Sequence, residues 1–325
     1  MARLLQALFL TASAGRALAS CAYGTFLHPR AEGEEVPVAT FGYTGVIGPH
    51  NWAALELPTN NACATGTRQS PIDMVANVFE VIPASDVTIE VNDMPDGADF
   101  ENLGSTVEVI TQGGTLAFDG KTFELQQFHF HLPSEHLDNG TSQAMEMHMV
   151  WQSAAAEIAV VGLYINIATG EVTTNITAPA TKREITSRSR LFGKRQAQAP
   201  VAGATGPTTL LETIFSVVDQ ISTPGTKVKT PPLVMSEVVD LIKAGSFQAY
   251  SGSLTTPPCS EGVNWRVSTQ KLSISPASFV KARDVIGFNS RFPQNTPGQP
   301  NILMVSALGS AAAAVSLSST PAKAA

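Results

Sequence analysis

Charge is scarce in this chain. Only 14% of its 325 residues are Asp, Glu, Lys or Arg, and the net charge of −7 is spread along the sequence. No Lys/Arg stripe interleaved with aromatic residues occurs, which argues against a nucleic-acid partner. No apolar run is long enough to span a bilayer, which excludes an ordinary membrane-spanning helix. No internal repeat is visible, so a solenoid is excluded. Cysteine is limited to Cys21, Cys63 and Cys259, so at most one disulfide can close within the chain. What is plentiful is apolar content, 43% of residues, enough for one large domain with appendages.

The first residues carry Arg3, a short apolar run and the small residues Ala17-Leu18-Ala19, the pattern of a signal peptide over residues 1–19. Export makes a disulfide permissible, and Cys63 and Cys259, both in the body of the chain, are the natural pair. Cys21 is then left over, to be trimmed, stay free or link two chains as a homodimer. Leu18-Ala19-Ser20-Cys21 also resembles a bacterial lipoprotein cleavage site. Against that reading, Asn139-Gly140-Thr141 and Asn175-Ile176-Thr177 are glycosylation sequons, making Asn139 and Asn175 candidate acceptors. A secreted, extracellular protein is expected. Residues 20–40 read as an N-terminal arm. The Ala/Ser-rich residues 302–325 read as a disordered tail, with an anchor signal as the weaker alternative.

Alternating or β-branched runs at residues 87–91, 106–111, 121–131, 145–152, 158–165 and 263–267 predict a body made mostly of strands. Helical spacing appears at Leu210, Leu211, Ile214, Phe215, Val218 and Ile221, again over residues 234–242, and after Ser275, where Pro276 suits a first helical turn. Residues 168–207 turn to Thr, Ala, Gly, Gln and Arg and predict a flexible surface insertion, with Lys194-Arg195 open to processing.

In Gln127-Phe128-His129-Phe130-His131, strand alternation puts Gln127, His129 and His131 on one face and the phenylalanines on the other. An HxH pair alone is weak evidence for a metal. The following run, Met145 to Val150, puts Glu146, His148 and Val150 on one face, and the short polar link between the runs makes them plausible antiparallel neighbours. Three imidazoles then converge without a fourth protein ligand, the composition of a catalytic zinc site with one open position. Gln127 and Glu146, each two residues from a histidine on the same face, are placed to fix a ring tautomer.

Further segments accompany these. They are Gly48-Pro49-His50-Asn51-Trp52, Gln69-Ser70-Pro71-Ile72-Asp73, Ser134-Glu135-His136, Gly252-Ser253-Leu254-Thr255-Thr256-Pro257-Pro258, Trp265, Asn289, Arg291 and Gln294. In order and number they resemble the alpha carbonic anhydrases over residues 41–301, interrupted chiefly by the insertion. The resemblance implies a predominantly β, single-domain fold, a large twisted, mostly antiparallel ten-stranded sheet with short peripheral helices. It implies Zn2+ on His129, His131 and His148, a Cys63–Cys259 disulfide, and reversible hydration of carbon dioxide to bicarbonate by zinc-bound hydroxide. Thr255 would accept from that hydroxide and donate to Glu135. Tyr43 would join the water network, and Asn289 would support the histidines from behind. Val150, Val160, Leu254, Thr256 and Trp265 would line the substrate pocket. Sulfonamides and anions are the expected inhibitors. Ser105 stands where the fastest members carry a proton-shuttling histidine.

Two other readings remain at this point. His129-x-His131 with Glu135 and Gly140 partly matches a cupin metal motif, although Phe123 replaces its leading glycine. A catalytically silent binding domain on the same fold is the other, although such domains typically lose a metal histidine and all three stand here.

Overall fold

The computed structural model describes residues 35–111, 113–168 and 206–307. The expected signal peptide, Cys21, Asn175, Lys194-Arg195 and residues 308–325 lie outside them. Among the described residues fourteen strands are formed: β1 (Asp73–Met74), β2 (Glu80–Pro83), β3 (Thr88–Val91), β4 (Asp99–Asn102), β5 (Val107–Ile110), β6 (Gly114–Phe118) and β7 (Lys121–His131). They continue with β8 (Leu137–Asp138), β9 (Met145–Ser153), β10 (Ile158–Ile167), β11 (Lys227–Lys229), β12 (Ser246–Ser253), β13 (Glu261–Ser268) and β14 (Leu272–Ile274).

Twelve of them make one sheet, with the path β11-β4-β5-β7-β9-β10-β13-β12-β2; β14 joins β10, and β3 joins the path through β6 on β7. This is two strands more than the expected ten. The surplus lies in short marginal pairings such as the three-residue β11 and β14. β10 runs parallel to β13 and β14, and the other pairings within the sheet are antiparallel.

Two apolar cores lie on opposite faces of the sheet. Along β10, Ala159, Val161, Leu163 and Ile165 enter the larger core, while Ile158, Val160 and Tyr164 enter the smaller. A strand buried on both faces reads as a continuous apolar run, as Ile158–Ile167 does. The helices Thr209–Phe215, Ser236–Lys243 and Pro276–Ile286 contribute Leu210, Leu211, Ile214, Phe215, Val238, Val239, Ile242 and Ala282 to the larger core. Ser275 caps the last of these, its hydroxyl accepting from the Ser278 N–H at 3.2 Å.

β7 changes face partway along. Its register with β9 shifts between Leu125 and Gln127, leaving Gln126 as the extra residue of a bulge. Phe123 and Leu125 before the bulge, and Phe128 and Phe130 after it, all enter the larger core. The shift from odd to even numbering frees Gln127, His129 and His131 for the other face.

The insertion is anchored on one strand. Ala168 N–H donates to Ile274 O, and Thr208 N–H donates to Ser273 O, each at 2.8 Å. The first residues of the expected tail are ordered. Residues 302–307 are helical, started by Asn301, whose side chain accepts from Leu303 N–H and whose carbonyl accepts from Val305 N–H. An Asx side chain at a helix start overrides the weak preference of the small residues beyond it.

Cys63 and Cys259 form a disulfide across 196 residues, packed with Phe41 and Trp52. Reducing it, or replacing both cysteines by serine, is expected to cost roughly 2–5 kcal/mol of unfolding free energy. An unchanged denaturant midpoint would show that the bond carries no stability.

Candidate metal centre

The register places His129 directly opposite His148 and His131 opposite Glu146. All three histidines are buried, and their ring centroids lie 4.6–5.3 Å apart. Each has one ring nitrogen tied. His129 Nδ1 donates to Gln127 Oε1 at 2.9 Å, His131 Nδ1 to the Asn289 carbonyl at 2.8 Å, and His148 Nε2 to Glu146 Oε1 at 2.8 Å. These acceptors fix the tautomers, so the opposite nitrogen of each ring carries a lone pair. One atom from each of the three histidines falls within 4.8 Å of the others. His131 Nε2 is buried without a hydrogen-bond partner, an arrangement that costs stability unless something occupies the space between the rings.

Burial pushes all three imidazoles below their ordinary range, with neighbouring histidines adding to it. His131 falls to about 3. Three neutral imidazoles facing one point are a fit donor set for a borderline-soft divalent cation.

Glu146 is the best-supported group in the site. Its Oε2 accepts from the backbone N–H groups of Glu135 and His136 at 2.9 and 2.8 Å, and its Oε1 from His136 Nδ1 and His148 Nε2 at 2.7 and 2.8 Å. Burial alone would raise its carboxyl, but His136 and His148 outweigh that and hold it well below the usual range. His136, Glu146 and His148 also approach within metal-binding distance of one another. Their facing atoms are already joined by these hydrogen bonds, which leaves no lone-pair site for an ion. Gly162, opposite His148 on β10, gives the carboxylate its room: a Cβ there would lie 3.1 Å from Glu146 Oε1.

Behind this carboxylate runs a relay that the sequence did not disclose. With its proton on Nδ1, His136 accepts at Nε2 from the Tyr250 hydroxyl at 2.7 Å. Tyr250 then accepts from Ser70 at 2.8 Å, and Ser70 accepts from Ser253 N–H at 3.0 Å. Tyr250 stacks on Trp265, its partner across β12 and β13. Strand alternation through Tyr250 and Gly252 was the available signal, since a Cβ at Gly252 would strike Ser70 Oγ and Trp265.

Glu135 lies between the histidines and the loop after β12. Its Oε1 accepts from Arg291 N–H at 2.9 Å and it also accepts from the Thr255 hydroxyl, while its Oε2 lies 3.4 Å from His131 Nε2. Burial pushes its carboxyl up against those two hydrogen bonds. A cation among the histidines would pull it back toward the ionised form. The buried Arg291, held at about 10 by burial, ties this segment to Ser70, Gln69 and Cys63 by donating to Ser70 O, Gln69 Oε1 and Cys63 O.

Val150, Val160 and Trp265 share the smaller core, with Leu254 packed on it and Thr256 half-buried beside Thr255. Tyr43 packs edge-on against Trp52, and its hydroxyl is buried without a partner. Burial, then the charge of Glu135, raises it well above the ordinary phenol range. Asn289 serves His131 through its carbonyl rather than its side chain, which accepts from Leu132 N–H and donates to Ser105 O and Phe130 O. Ser105 is only 3% exposed and its hydroxyl is shut off from solvent, deeper than a shuttle position implies. Ala39 of the arm donates to Leu103 O beside it, and Val38 covers Gly104. Asn139 lies at an exposed turn beyond the site.

The eukaryotic-type carbonic anhydrase family model matches residues 47–175 and 199–298. The chain belongs to this carbonic anhydrase family. Hydration of carbon dioxide is therefore the general kind of reaction, and the cupin reading is set aside. A carbonic anhydrase of Nostoc is 33% identical over 263 residues, 80% of this chain and 82% of the relative. The fungal alpha carbonic anhydrase of Aspergillus oryzae is similar in structure with a TM-score of 0.69 and 34% identity, covering 82% of this chain and 98% of the other. An alpha carbonic anhydrase of Thermovibrio ammonificans, solved with sulfanilamide, gives 0.61 and 31%, covering 80% and 97%.

Replacing His129, His131 or His148 by alanine is expected to abolish stoichiometric metal uptake, measured by elemental analysis of the purified variants. Full retention in any one of them excludes that residue as a ligand. The metal-stripped protein should also lose stability as pH falls below about 6.5, where unfolded histidines take up protons that the buried ones, their pKa values lowered by burial, still refuse; His131 refuses until about pH 3. Flat stability from pH 7 to 4 would contradict neutral, buried imidazoles.

Proposed function

We propose that the chain is an exported zinc enzyme that hydrates carbon dioxide reversibly at the pocket between β7, β9 and Thr255. The observation that carries this is the convergence of three neutral histidines, each fixed from behind, on a point beside the Glu135–Thr255 pair. His129, His131 and His148 would hold zinc, which lowers the pKa of a bound water and so supplies hydroxide near neutral pH.

The chain's own residues do the rest. Glu135 accepts the Thr255 proton, so the threonine oxygen keeps its lone pairs for a donor arriving from the pocket. That fixes the direction in which a nucleophile's remaining lone pair points. Val150, Val160, Leu254 and Trp265 offer an apolar wall suited to a small uncharged substrate and poorly suited to retaining its anionic product. Gln127, Glu146 and Asn289 hold the imidazoles in one tautomer throughout. The leader pattern and the Cys63–Cys259 bond support export, since disulfides persist in oxidising compartments. A silent binding domain has no need of an intact Thr255–Glu135 pair.

A carbon dioxide hydration assay with and without a sulfonamide tests the reading: sulfonamide-sensitive activity is expected, and its absence in zinc-loaded protein refutes it. Thr255→Ala should keep the metal and lose roughly 10²–10³-fold in kcat/KM, the usual cost of removing one preorganised polar contact. Wild-type rates would reduce Thr255 to a turn residue.

Proton export should depend on buffer, because Ser105 has no group that titrates near neutral pH and its hydroxyl does not reach solvent. Turnover is expected to rise with added imidazole-type buffer while kcat/KM stays constant. High turnover that ignores buffer concentration would place a shuttle elsewhere.

A further inference from the structure

One sequon lies within the described residues, and its setting is specific. Asn139 and Gly140 form the two-residue tip of a hairpin closed by Asp138 and Thr141, which pair through Asp138 N–H to Thr141 O at 2.8 Å and Thr141 N–H to Asp138 O at 3.1 Å. Both tip residues have positive φ, 50° and 74°, the geometry of a tight turn that asparagine and glycine tolerate best. Asn139, Gly140 and Thr141 are all exposed.

The Asn139 side chain is oriented by its neighbours. Its Oδ1 accepts from Ala76 N–H at 2.7 Å, and its Nδ2 donates one hydrogen to Asp138 Oδ1 at 2.9 Å. A side-chain amide has two hydrogens on nitrogen. Linking a sugar through the second would leave both native contacts in place. The tip is also held from below: Gly140 N–H donates to Asp73 Oδ1 at 2.8 Å, and Lys271 binds Asp138 Oδ2.

Beside this turn three valines are exposed, interleaved with the exposed Asn77 and Glu80. Ala76, bound by Asn139, lies between Val75 and Val78, which are 40% and 60% exposed, and Val81 follows at 55% in β2. β2 closes the end of the sheet path, and among the described residues it pairs only with β12, which leaves its other edge without a strand partner there. Exposed valines next to a strand at the end of a sheet favour association between chains.

We propose that Asn139 is an N-glycosylation site whose glycan covers the exposed valines beside the outer edge of β2. The donor is a lipid diphosphate-linked oligosaccharide. The Asn139 Nδ2–C1 bond forms as the bond from C1 to the diphosphate oxygen breaks, the diphosphate leaves with that electron pair, and one Nδ2 proton passes to base. Thr141 supplies the hydroxyl that defines the acceptor sequence. A bulky hydrophilic group at this tip screens the valines without touching the histidine site.

The proposal rests on the export reading, and the two can fail separately. The full chain is expressed in a eukaryotic secretory host, once with its own leader and once behind a heterologous one. Secreted material is mapped by peptide mass before and after peptide N-glycosidase treatment in heavy-oxygen water. Asn139 should be converted to labelled aspartate in both preparations. Thr141→Ala should abolish the label and Thr141→Ser should keep it, with carbon dioxide hydration unchanged in either variant. An unmodified Asn139 in chain delivered by the heterologous leader overturns the site. Failure of the native leader alone removes export, and with it the natural occurrence of the glycan. The Thr141→Ala protein should self-associate at lower concentration by light scattering, and equal behaviour overturns the covering role.

Discussion

A buried negative charge must be surrounded by donors or it will not stay charged, and Glu146 is where that constraint governs this fold. Two backbone N–H groups and two imidazoles meet its two oxygens. To supply them, the chain must turn sharply after β7 so that Glu135 and His136 present their amides, and β10 must carry glycine at Gly162 to clear the space. The charge in turn fixes His148 in one tautomer and anchors the relay through His136, Tyr250 and Ser70 to the start of the Thr255 loop. The three facing histidines and the loop that carries Thr255 are thus braced through a single carboxylate.

The sheet solves a second problem, that of serving two cores at once. A strand has two faces, and β7 needs apolar side chains toward the helices along its whole length but polar ones toward the pocket only at its end. The bulge at Gln126 achieves this by advancing the alternation one step, so that Phe123, Leu125, Phe128 and Phe130 stay in the larger core. Without it, His129 and His131 would share the face of Phe123 and Leu125. β9 needs no such device because its methionines and Trp151 alternate evenly with Glu146, His148 and Val150.

Much of this was legible in the residues. The six strands expected from alternation all form, as does the helix following Ser275, because their apolar residues recur at the period of the element. The face assignments of His129, His131 and His148 followed from the same periodicity. The strands β1, β2, β4, β6, β8, β11, β12 and β14 did not show, since their residues carry no sustained apolar alternation and their pairing is settled by tertiary context. Asn289 was marked as a supporting residue, yet no pattern in sequence says that its carbonyl, 158 positions away, is what His131 binds. Tyr250 is signalled in sequence only by its two-residue spacing from Gly252, and its partners His136 and Ser70 are reached only by folding the sheet. The phase change around Gln126 could have been read from Phe123 and Leu125 against Phe128 and Phe130, which alternate in different registers.

Ala168 and Thr208 are hydrogen-bonded to adjacent residues of one strand, β14. The two points where the chain departs from the sheet and rejoins it are therefore fixed without reference to what lies between them. Closing a loop of changed length there costs only a slowly varying entropy, because the sheet already holds the ends. Length and composition between those anchors can drift, expand or accept foreign sequence while the register of β10 and β14 stays put. This makes the junction a natural point of entry for evolutionary novelty in an otherwise tightly constrained enzyme.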